Sequence, residues 1–192
     1  MSRRRGRYDH VMGIDPSLNG TGVCLANGET SHLELNSNKT NVVFGMSRVV
    51  RVVAYIELQM SRFARTHVCM EGYALHAPGR THDKAELHSI IKLLALSRGI
   101  PIILVGPTTL KLWTTGHGHA DKEQMIETVS TEWGVSVAND DEADAYALMK
   151  FGEAWLDRSI SYPQEYRTED ALDKADYLLS TNELQTLAIN FD

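Results

Sequence analysis

Two short apolar segments that each end at an acidic residue limit the fold of this chain more than any other feature. The first covers residues 8–15 and ends in Asp15, and the second covers residues 67–72, with Glu71 near its end. Runs of this length between turn-forming residues are typical of buried β-strands. The sequence therefore predicts two strands that place carboxylates at their ends.

Three further strands complete the predicted sheet. Two of them form a hairpin over residues 21–35, because Asn27-Gly28 is a strong hairpin signal, and the last covers residues 101–105. Segments with helical periodicity separate or follow the later strands; they cover residues 41–65, 83–98, 108–113, 121–133 and 141–156. Strands that first form a hairpin and then alternate with helices predict one α/β domain with a mixed five-stranded sheet flanked by helices.

Length and composition are those of a globular protein with one core. The chain has 192 residues, of which 43% are hydrophobic and 23% are charged, and this balance excludes a disordered or collagen-like protein. No apolar run is long enough to cross a membrane and the N-terminus lacks the apolar part of a secretory signal, so we expect a soluble cytoplasmic protein with no membrane partner. We predict a basic leader over residues 1–7, a core domain over residues 8–156 and a mainly helical extension over residues 157–192.

The net charge of −6 alone argues against nucleic-acid binding, but the basic residues are clustered. The leader carries Arg3, Arg4, Arg5 and Arg7. On the helix predicted over residues 41–65, four arginines fall opposite the apolar stripe; they are Arg48, Arg51, Arg62 and Arg65. Such a stripe is either an ordinary solvated face or a set of contacts to phosphates.

Four carboxylates are expected to meet at one edge of the sheet. Asp15 and Glu71 end strands, while Asp141 and Asp144 lie three residues apart at the start of a helix and share one face. At about 4 Å and an effective dielectric constant of 20, each like-charged pair would cost on the order of 4 kcal/mol. A converged cluster must therefore be protonated or hold cations, and oxygen ligands favour Mg²⁺ or Mn²⁺. Taken singly, each acid also has an ordinary explanation as a turn cap, an exposed strand end or a helix N-terminal acid.

Several motifs in the same order resemble RuvC-type Holliday junction resolvases. They are Gly13-Ile14-Asp15-Pro16-Ser17 with Thr21-Gly22, Met70-Glu71, Pro107-Thr108-Thr109-Leu110-Lys111, Gly116-His117-Gly118-His119-Ala120-Asp121-Lys122 and Asp141-Glu142-Ala143-Asp144. The resemblance implies a ribonuclease H-like fold, a homodimer and Mg²⁺-dependent nicking of four-way DNA junctions, leaving 5′-phosphate and 3′-hydroxyl ends. It implies that the four acids bind two metal ions and that Lys111 and Lys122 approach the scissile phosphate.

The chain also departs from the pattern of this family. Bacterial members commonly place an aromatic residue three positions after the strand-end glutamate to open the junction, whereas this chain has Ala74 there. Tyr73 or His76 are the candidates to replace it. The Arg-rich leader and the acidic extension resemble phage-encoded relatives, some of which cut branched DNA broadly.

With DNA as a candidate partner, the clustered basic residues become candidate backbone contacts. The predicted DNA-binding set is Arg3, Arg4, Arg5, Arg7, Arg48, Arg51, Arg62, Arg65, Tyr73 and Arg80. The helix over residues 41–65 fits a subunit interface equally well. His117 and His119 suggest zinc only weakly, because no cysteine or third histidine lies close in sequence, and a flexible loop beside the active site is the preferred interpretation.

Three alternatives stay open at this point. The same site could serve a ribonuclease H-like nuclease that acts on flaps, RNA or RNA–DNA hybrids. Residues 15–22 also resemble the phosphate loop of actin-like ATPases, although 192 residues leave little room for the second lobe that such proteins need. The third alternative is a junction-binding module without catalysis, which does not explain why all four acids are present.

Overall fold

The computed structural model describes residues 10–35, 42–64, 66–72, 81–160, 162 and 164–178. Among them are six strands and six helices. The strands are β1 (His10–Asp15), β2 (Gly20–Cys24), β3 (Thr30–Glu34), β4 (Thr66–Glu71), β5 (Ile102–Val105) and β6 (Asp176–Leu178). The helices are α1 (Val42–Met60), α2 (Thr81–Ser97), α3 (Pro107–Thr115), α4 (Lys122–Trp133), α5 (Asp140–Leu156) and α6 (Glu169–Asp173).

One mixed sheet in the order β3-β2-β1-β4-β5-β6 organises the domain. Strands β1, β4 and β5 are parallel, and β2 and β3 form the predicted antiparallel hairpin at one side. The five predicted strands are all present, and β6 adds a sixth, antiparallel to β5. The predicted α/β class and mixed sheet are therefore confirmed, with one strand more than the sequence indicated.

Apolar cores cover both faces of the sheet. Because side chains alternate along a strand, Val11 and Cys69 face α5 and the helices beside it, whereas Met12 and Met70 face α1 and α2. The central strands are buried on both sides, which explains why their sequences are continuously apolar.

Helix α5 packs unusually close to the strands. A side chain at Gly13 would collide with the backbone of α5 at Ala145, and one at Gly22 would collide with the carbonyl oxygen of Asp141. The helix begins at the predicted cap, since the Asn139 side chain accepts a hydrogen bond from the Glu142 N–H. Glycines in β1 and β2 thus let the acidic start of α5 approach the sheet.

Helix α1 turns its predicted apolar stripe, including Val49, Val52 and Ile56, into the core. Arg48 is the exception to the predicted pattern, because it is buried rather than exposed. Its guanidinium donates to the Leu18 carbonyl, at 3.0 Å from Nε, and to the Asn19 side chain. The helical period placed Arg48 away from the apolar stripe, but the turn after β1 covers that side of the helix.

The segment that follows α5 contributes to the same sheet and core. Thr168 caps α6 as predicted, and Ala171 and Leu172 of that helix are buried. Within the described part of this segment, the short α6 is followed by β6, a strand that the sequence did not predict. No helix in the described part of the chain is long and apolar enough to span a membrane.

Candidate active site

Asp15 and Glu71 lie side by side at the carboxyl ends of neighbouring parallel strands. β1 and β4 pair in register up to Ile14 opposite Met70, and the next residue of each strand is the acid. By the alternation of the strands, both carboxylates point to the face that α5 covers. Parallel strand ends are where α/β proteins build their sites.

The start of α5 brings Asp141 to the same edge. Asp15 pairs with Gly22 across β1 and β2, and Gly22 lies directly under the Asp141 backbone. A side chain at Gly20 would collide with the Asp141 carboxylate itself. Asp144 follows three residues later, on the same side of the helix. We call the four acids, Asp15, Glu71, Asp141 and Asp144, the carboxylate edge.

Burial raises the pKa of all four carboxyl groups, and the charges of other members of the cluster raise it further for Asp15 and Asp144. Burial raises the pKa of Asp15 well above its usual range, and the charges of Glu71, Asp144 and Asp141 raise it further. Burial, followed by the charge of Glu71, raises the pKa of Asp144 to about 7. The pKa values of Glu71 and Asp141 are also raised, again mainly by burial. Because the acids affect one another, they form one electrostatic unit.

The residues of the carboxylate edge fit a divalent cation in chemistry and charge. Asp144 Oδ1 is buried and has no hydrogen-bond partner among the described residues, so it is available as a ligand. All donors are carboxylate oxygens, which suit Mg²⁺ or Mn²⁺. In the described part of the chain, however, no three acid, histidine or cysteine side chains already stand close enough together to hold one ion. Binding would therefore require these side chains to move inwards.

Two predicted lysines and one unpredicted lysine surround the acids. Lys111 of α3 donates to the Ala120 carbonyl at 2.6 Å and lowers the pKa of Glu71 and Asp144. Lys122 begins α4, is largely exposed and forms an ion pair with Asp140. The third, Lys84 of α2, lowers the pKa of Asp15 and Glu71. No local pattern distinguished Lys84 from an ordinary exposed lysine of a helix.

The turn after β1 is held by Thr21, Arg48 and His88, of which only Arg48 was a predicted site residue, and then as a DNA contact. Thr21 Oγ1 donates to the Ser17 carbonyl at 2.6 Å and closes the turn. Arg48 holds Leu18 and Asn19, and His88 bonds to the Pro16 carbonyl. Burial lowers the pKa of His88 to about 4, so this histidine is neutral near pH 7. These contacts fix the backbone that follows Asp15.

The predicted DNA contacts divide into three groups. Arg48 is buried and bonded to the turn after β1, so it does not fit an exposed phosphate contact. Arg51 is exposed, and Arg62 is exposed with two hydrogen bonds to the Glu29 carboxylate at 2.9 and 3.0 Å. The others lie outside the described residues; they are Arg3, Arg4, Arg5, Arg7, Arg65, Tyr73 and Arg80. His76 also lies outside them, and His117 and His119 lie exposed in the loop between α3 and α4.

Comparison with known proteins identifies relatives over most of this domain. The model of the family described as crossover junction endodeoxyribonuclease RuvC matches residues 11–149. The crossover junction endodeoxyribonuclease RuvC of Nocardia farcinica is 30% identical over 146 residues, which cover 72% of this chain and 77% of the relative. The protein of the same description from Synechococcus sp. strain WH7803 is 27% identical, covering 77% of this chain and 99% of the relative.

Solved structures show the same fold. The chain of Thermus thermophilus RuvC in complex with a Holliday junction substrate matches with a TM-score of 0.61 and 21% identity, covering 88% of this chain and 98% of that one. A second T. thermophilus RuvC structure matches with a TM-score of 0.60 and 20% identity, covering 88% and 99%. The family match includes residues 15–22, on which the actin-like alternative rested.

Proposed function

Because the chain belongs to the RuvC family of crossover junction endodeoxyribonucleases, we propose that it resolves four-way DNA junctions by paired, metal-dependent nicks. The observation that carries the proposal is the convergence of Asp15, Glu71 and the start of α5 at one sheet edge. Because these acids repel one another, the edge is stable only when some of them are protonated or when cations bind, and metal binding would use that property. We assign the reaction to residues 8–156 and regard residues 1–7 and 157–192 as additions to that domain.

We assign metal binding to the carboxylate edge and expect two Mg²⁺ ions, with Mn²⁺ as a substitute. Such ions supply the positive charge that activates water and stabilises the departing 3′ oxygen. Asp144 offers a buried, unpartnered oxygen to them, and Asp15 contributes a buried carboxyl group whose pKa is raised well above its usual range. Because the water attacks phosphorus and the bond to the 3′ oxygen breaks, the products carry 5′-phosphate and 3′-hydroxyl ends.

The lysines of the site complement charge on the DNA rather than on the protein alone. Lys111 lies close enough to Glu71 and Asp144 to alter their pKa values, so its ammonium group can also reach a phosphate bound at that edge. Lys122 is exposed and exchanges Asp140 for a phosphate at little cost, because surface ion pairs contribute little free energy. Both residues then stabilise the negative charge that builds up in the transition state.

A homodimer, the usual form of this family, suits a four-way junction because its two active sites can cut two strands symmetrically. Since the substrate is DNA, we place the reaction in the cytoplasm. Tyr73 and His76, the candidates for opening the junction, lie outside the described part of the chain.

The experiment is a cleavage assay on an immobile junction with labelled strands, with and without Mg²⁺ or Mn²⁺. We expect symmetric nicks with 5′-phosphate ends only when a divalent ion is present. A flap, an RNA–DNA hybrid and a plain duplex of the same sequence serve as competing substrates. Faster cutting of the hybrid or the duplex than of the junction would contradict the proposal and favour a related nuclease of different substrate class.

A further inference from the structure

A buried arginine from the segment after α5 lies inside a cage of aromatic rings. The side chain of Arg167 is 2% exposed. Its guanidinium carbon lies 4.6 Å from the centre of the Trp133 ring and between 5.2 and 5.6 Å from those of Trp113, Tyr162 and Tyr166. We call these five residues the arginine cage. Cations stack favourably on aromatic faces, most strongly when water is excluded.

The arginine cage binds the C-terminal end of helix α3 through hydrogen bonds from Arg167. Arg167 donates to the carbonyl of Trp113 from Nε at 3.2 Å and to the carbonyl of Thr114 at 3.1 Å. These carbonyls belong to the last turn of α3, where helical hydrogen bonds are missing. Arg167 therefore acts as a side-chain cap for a helix that is more than fifty residues away in sequence.

The same segment covers the residue that ends α3. Gly116 has the positive φ of 82° that terminates the helix, and a side chain there would lie 3.0 Å from the ring of Tyr166. Tyr166 thus lies on Gly116, the first residue of a loop over residues 116–121 that joins α3 to α4. Arg167 and Tyr166 fix where this loop begins.

Both predicted catalytic lysines depend on that loop. Lys111 is on α3, and its ammonium group is anchored to the carbonyl of Ala120 inside the loop. Asp121 ends the loop and caps α4 through a reciprocal pair of bonds with Gln124, and Lys122 is the first residue of α4. The path from the cage to each lysine is therefore a continuous series of contacts.

We propose that Arg167, with Tyr166, is a positioning residue that sets the placement of Lys111 and Lys122 at the scissile phosphate. The inference rests on the function proposed above, because it assigns a task to those lysines. It gives the segment after α5 a role in catalysis although none of its described residues belongs to the carboxylate edge. Small errors in the position of a reacting group cost large factors in rate, which makes such support worthwhile.

The chain offers a matched control for a purely structural role. Arg158 ties the same segment to the domain by the same chemistry, since it donates to the Trp155 carbonyl, pairs with Asp173 and lies 5.9 Å from the centre of the Trp155 ring. These contacts involve the end of α5 and not the loop over residues 116–121. Losing Arg158 weakens the attachment of the segment but leaves the lysines in place.

The test compares Arg167→Met with Arg158→Met in the full-length protein. At saturating junction and Mg²⁺, we expect Arg167→Met to cut about 10- to 100-fold more slowly with little change in junction affinity. Arg158→Met should keep the wild-type rate. Equal slowing by both substitutions, or no slowing by Arg167→Met in a folded protein, would overturn the proposal.

A triple substitution distinguishes positioning of the lysines from a general loss of rigidity. In a Lys111→Ala, Lys122→Ala background, Arg167→Met should cause no further slowing, because the groups that it positions are gone. A further slowing by the same factor would show that Arg167 acts elsewhere. If Arg167→Met does not fold, Tyr166→Ala undergoes the same test, because it removes only the ring that covers Gly116.

Amide hydrogen exchange provides a measurement that does not depend on activity. We expect faster exchange across residues 117–121 in Arg167→Met than in Arg158→Met, and equal exchange would overturn the proposal. If the wild-type protein does not cut junctions, the proposed function fails, while the exchange experiment still decides whether the cage orders the loop over residues 116–121, which joins the two lysine-bearing helices.

Discussion

Two regions of the molecule bury charged side chains, and they treat the charge in opposite ways. At the carboxylate edge, four acids of the same sign repel one another and the buried Asp144 Oδ1 lacks a hydrogen-bond partner in the described part of the protein. In the arginine cage, the single cation Arg167 donates to two backbone carbonyls and to the Gln164 side chain, lies 3.5 Å from the Glu132 carboxylate and is surrounded by rings. Among the described residues, a buried oxygen of the edge has no hydrogen-bond partner, whereas Arg167 has both hydrogen bonds and a counter-charge.

The difference distinguishes a buried charge that serves catalysis from one that stabilises the structure. A charge that folding leaves uncompensated lowers stability, so it persists only where another molecule compensates it. A charge that folding compensates fully makes a rigid anchor. Removing charge should therefore stop the reaction at the edge while relieving the fold, and should damage the fold at the cage.

The largest expected effect is on catalysis at the carboxylate edge. Replacing any one of its acids by the matching amide should slow cleavage at least about a thousandfold, since each supplies charge for metal binding. Junction binding should be largely kept, because phosphate contacts supply most of it. Single-turnover cleavage and a binding titration measure the two effects; the variants are Asp15→Asn, Glu71→Gln, Asp141→Asn and Asp144→Asn.

A control on the same helix isolates the effect of position. Glu153 lies three turns further along α5 and pairs with Lys150, away from the edge. Glu153→Gln should cleave at the wild-type rate. Full activity in any two of the four amide variants would show that the carboxylate edge is not the catalytic centre.

The next largest effect is on stability at the arginine cage. Arg167→Met removes the cation and leaves the carbonyls of Trp113 and Thr114 without their donor, which should cost about 3 kcal/mol of the free energy of unfolding. Urea denaturation followed by tryptophan fluorescence measures the loss, because Trp113 and Trp133 both contact the guanidinium. If Arg167→Met is as stable as the wild type, the contacts of the arginine cage do not offset the cost of burying the guanidinium.

Removing one charge from the carboxylate edge should raise the free energy of unfolding, by less than the loss of Arg167 lowers it. Without divalent ions at pH 8, Asp144→Asn should raise the free energy of unfolding by about 2 kcal/mol, less than the full pKa shift implies because a buried amide also needs partners. Mg²⁺ should reverse the order, since it stabilises only a protein that binds it. Thermal melts with chelator and with Mg²⁺ test both statements.

The difference in stability between Asp144→Asn and the wild-type protein should depend on pH in a defined direction. The pKa of Asp144 is raised to about 7 in the folded protein, so the folded state holds its proton over a range in which the unfolded state has lost it. The cost of this residue is therefore absent below about pH 4 and grows as the pH rises towards 7. The stability advantage of Asp144→Asn should shrink between pH 7 and pH 5 in chelator, and a constant advantage would contradict the assigned pKa.

The carboxylate edge was predictable because its parts are local. Continuous apolar runs specify β1 and β4, and parallel strands that start in register bring Asp15 and Glu71 together without further information. Asp141 and Asp144 were expected there from their spacing at a helix start, and Gly20 and Gly22 carry a further signal, since glycines in a strand indicate a close approach of another backbone. The parts of the site that follow from local patterns are those that the sequence predicted.

The arginine cage and β6 were not predictable for the opposite reason. Arg167 meets Trp113 across more than fifty residues, and nothing near Arg167 in sequence distinguishes it from an exposed arginine. β6 has only three residues, Asp176–Leu178, and forms a strand because the edge of β5 is there to pair with. The prediction that Arg48 is exposed was wrong for the same reason, because the turn that buries Arg48 comes from a different part of the chain.

The smallest expected effect concerns the exposed arginines of the predicted DNA-binding set. Arg51 and Arg62 are exposed to solvent, so replacing either should leave the thermal stability unchanged. Substitutions in the carboxylate edge and the arginine cage, by contrast, should change it. If each contacts one phosphate, Arg51→Ala and Arg62→Ala should each reduce the slope of log affinity against log salt by about one. Glu29→Gln should strengthen binding, because it frees Arg62 from a competing carboxylate. An unchanged slope in all three variants, with a weakened dimer in sedimentation, would instead place Arg51 of α1 and Arg62, which follows the end of α1 at Met60, at the subunit interface, since the two roles require the same exposed surface.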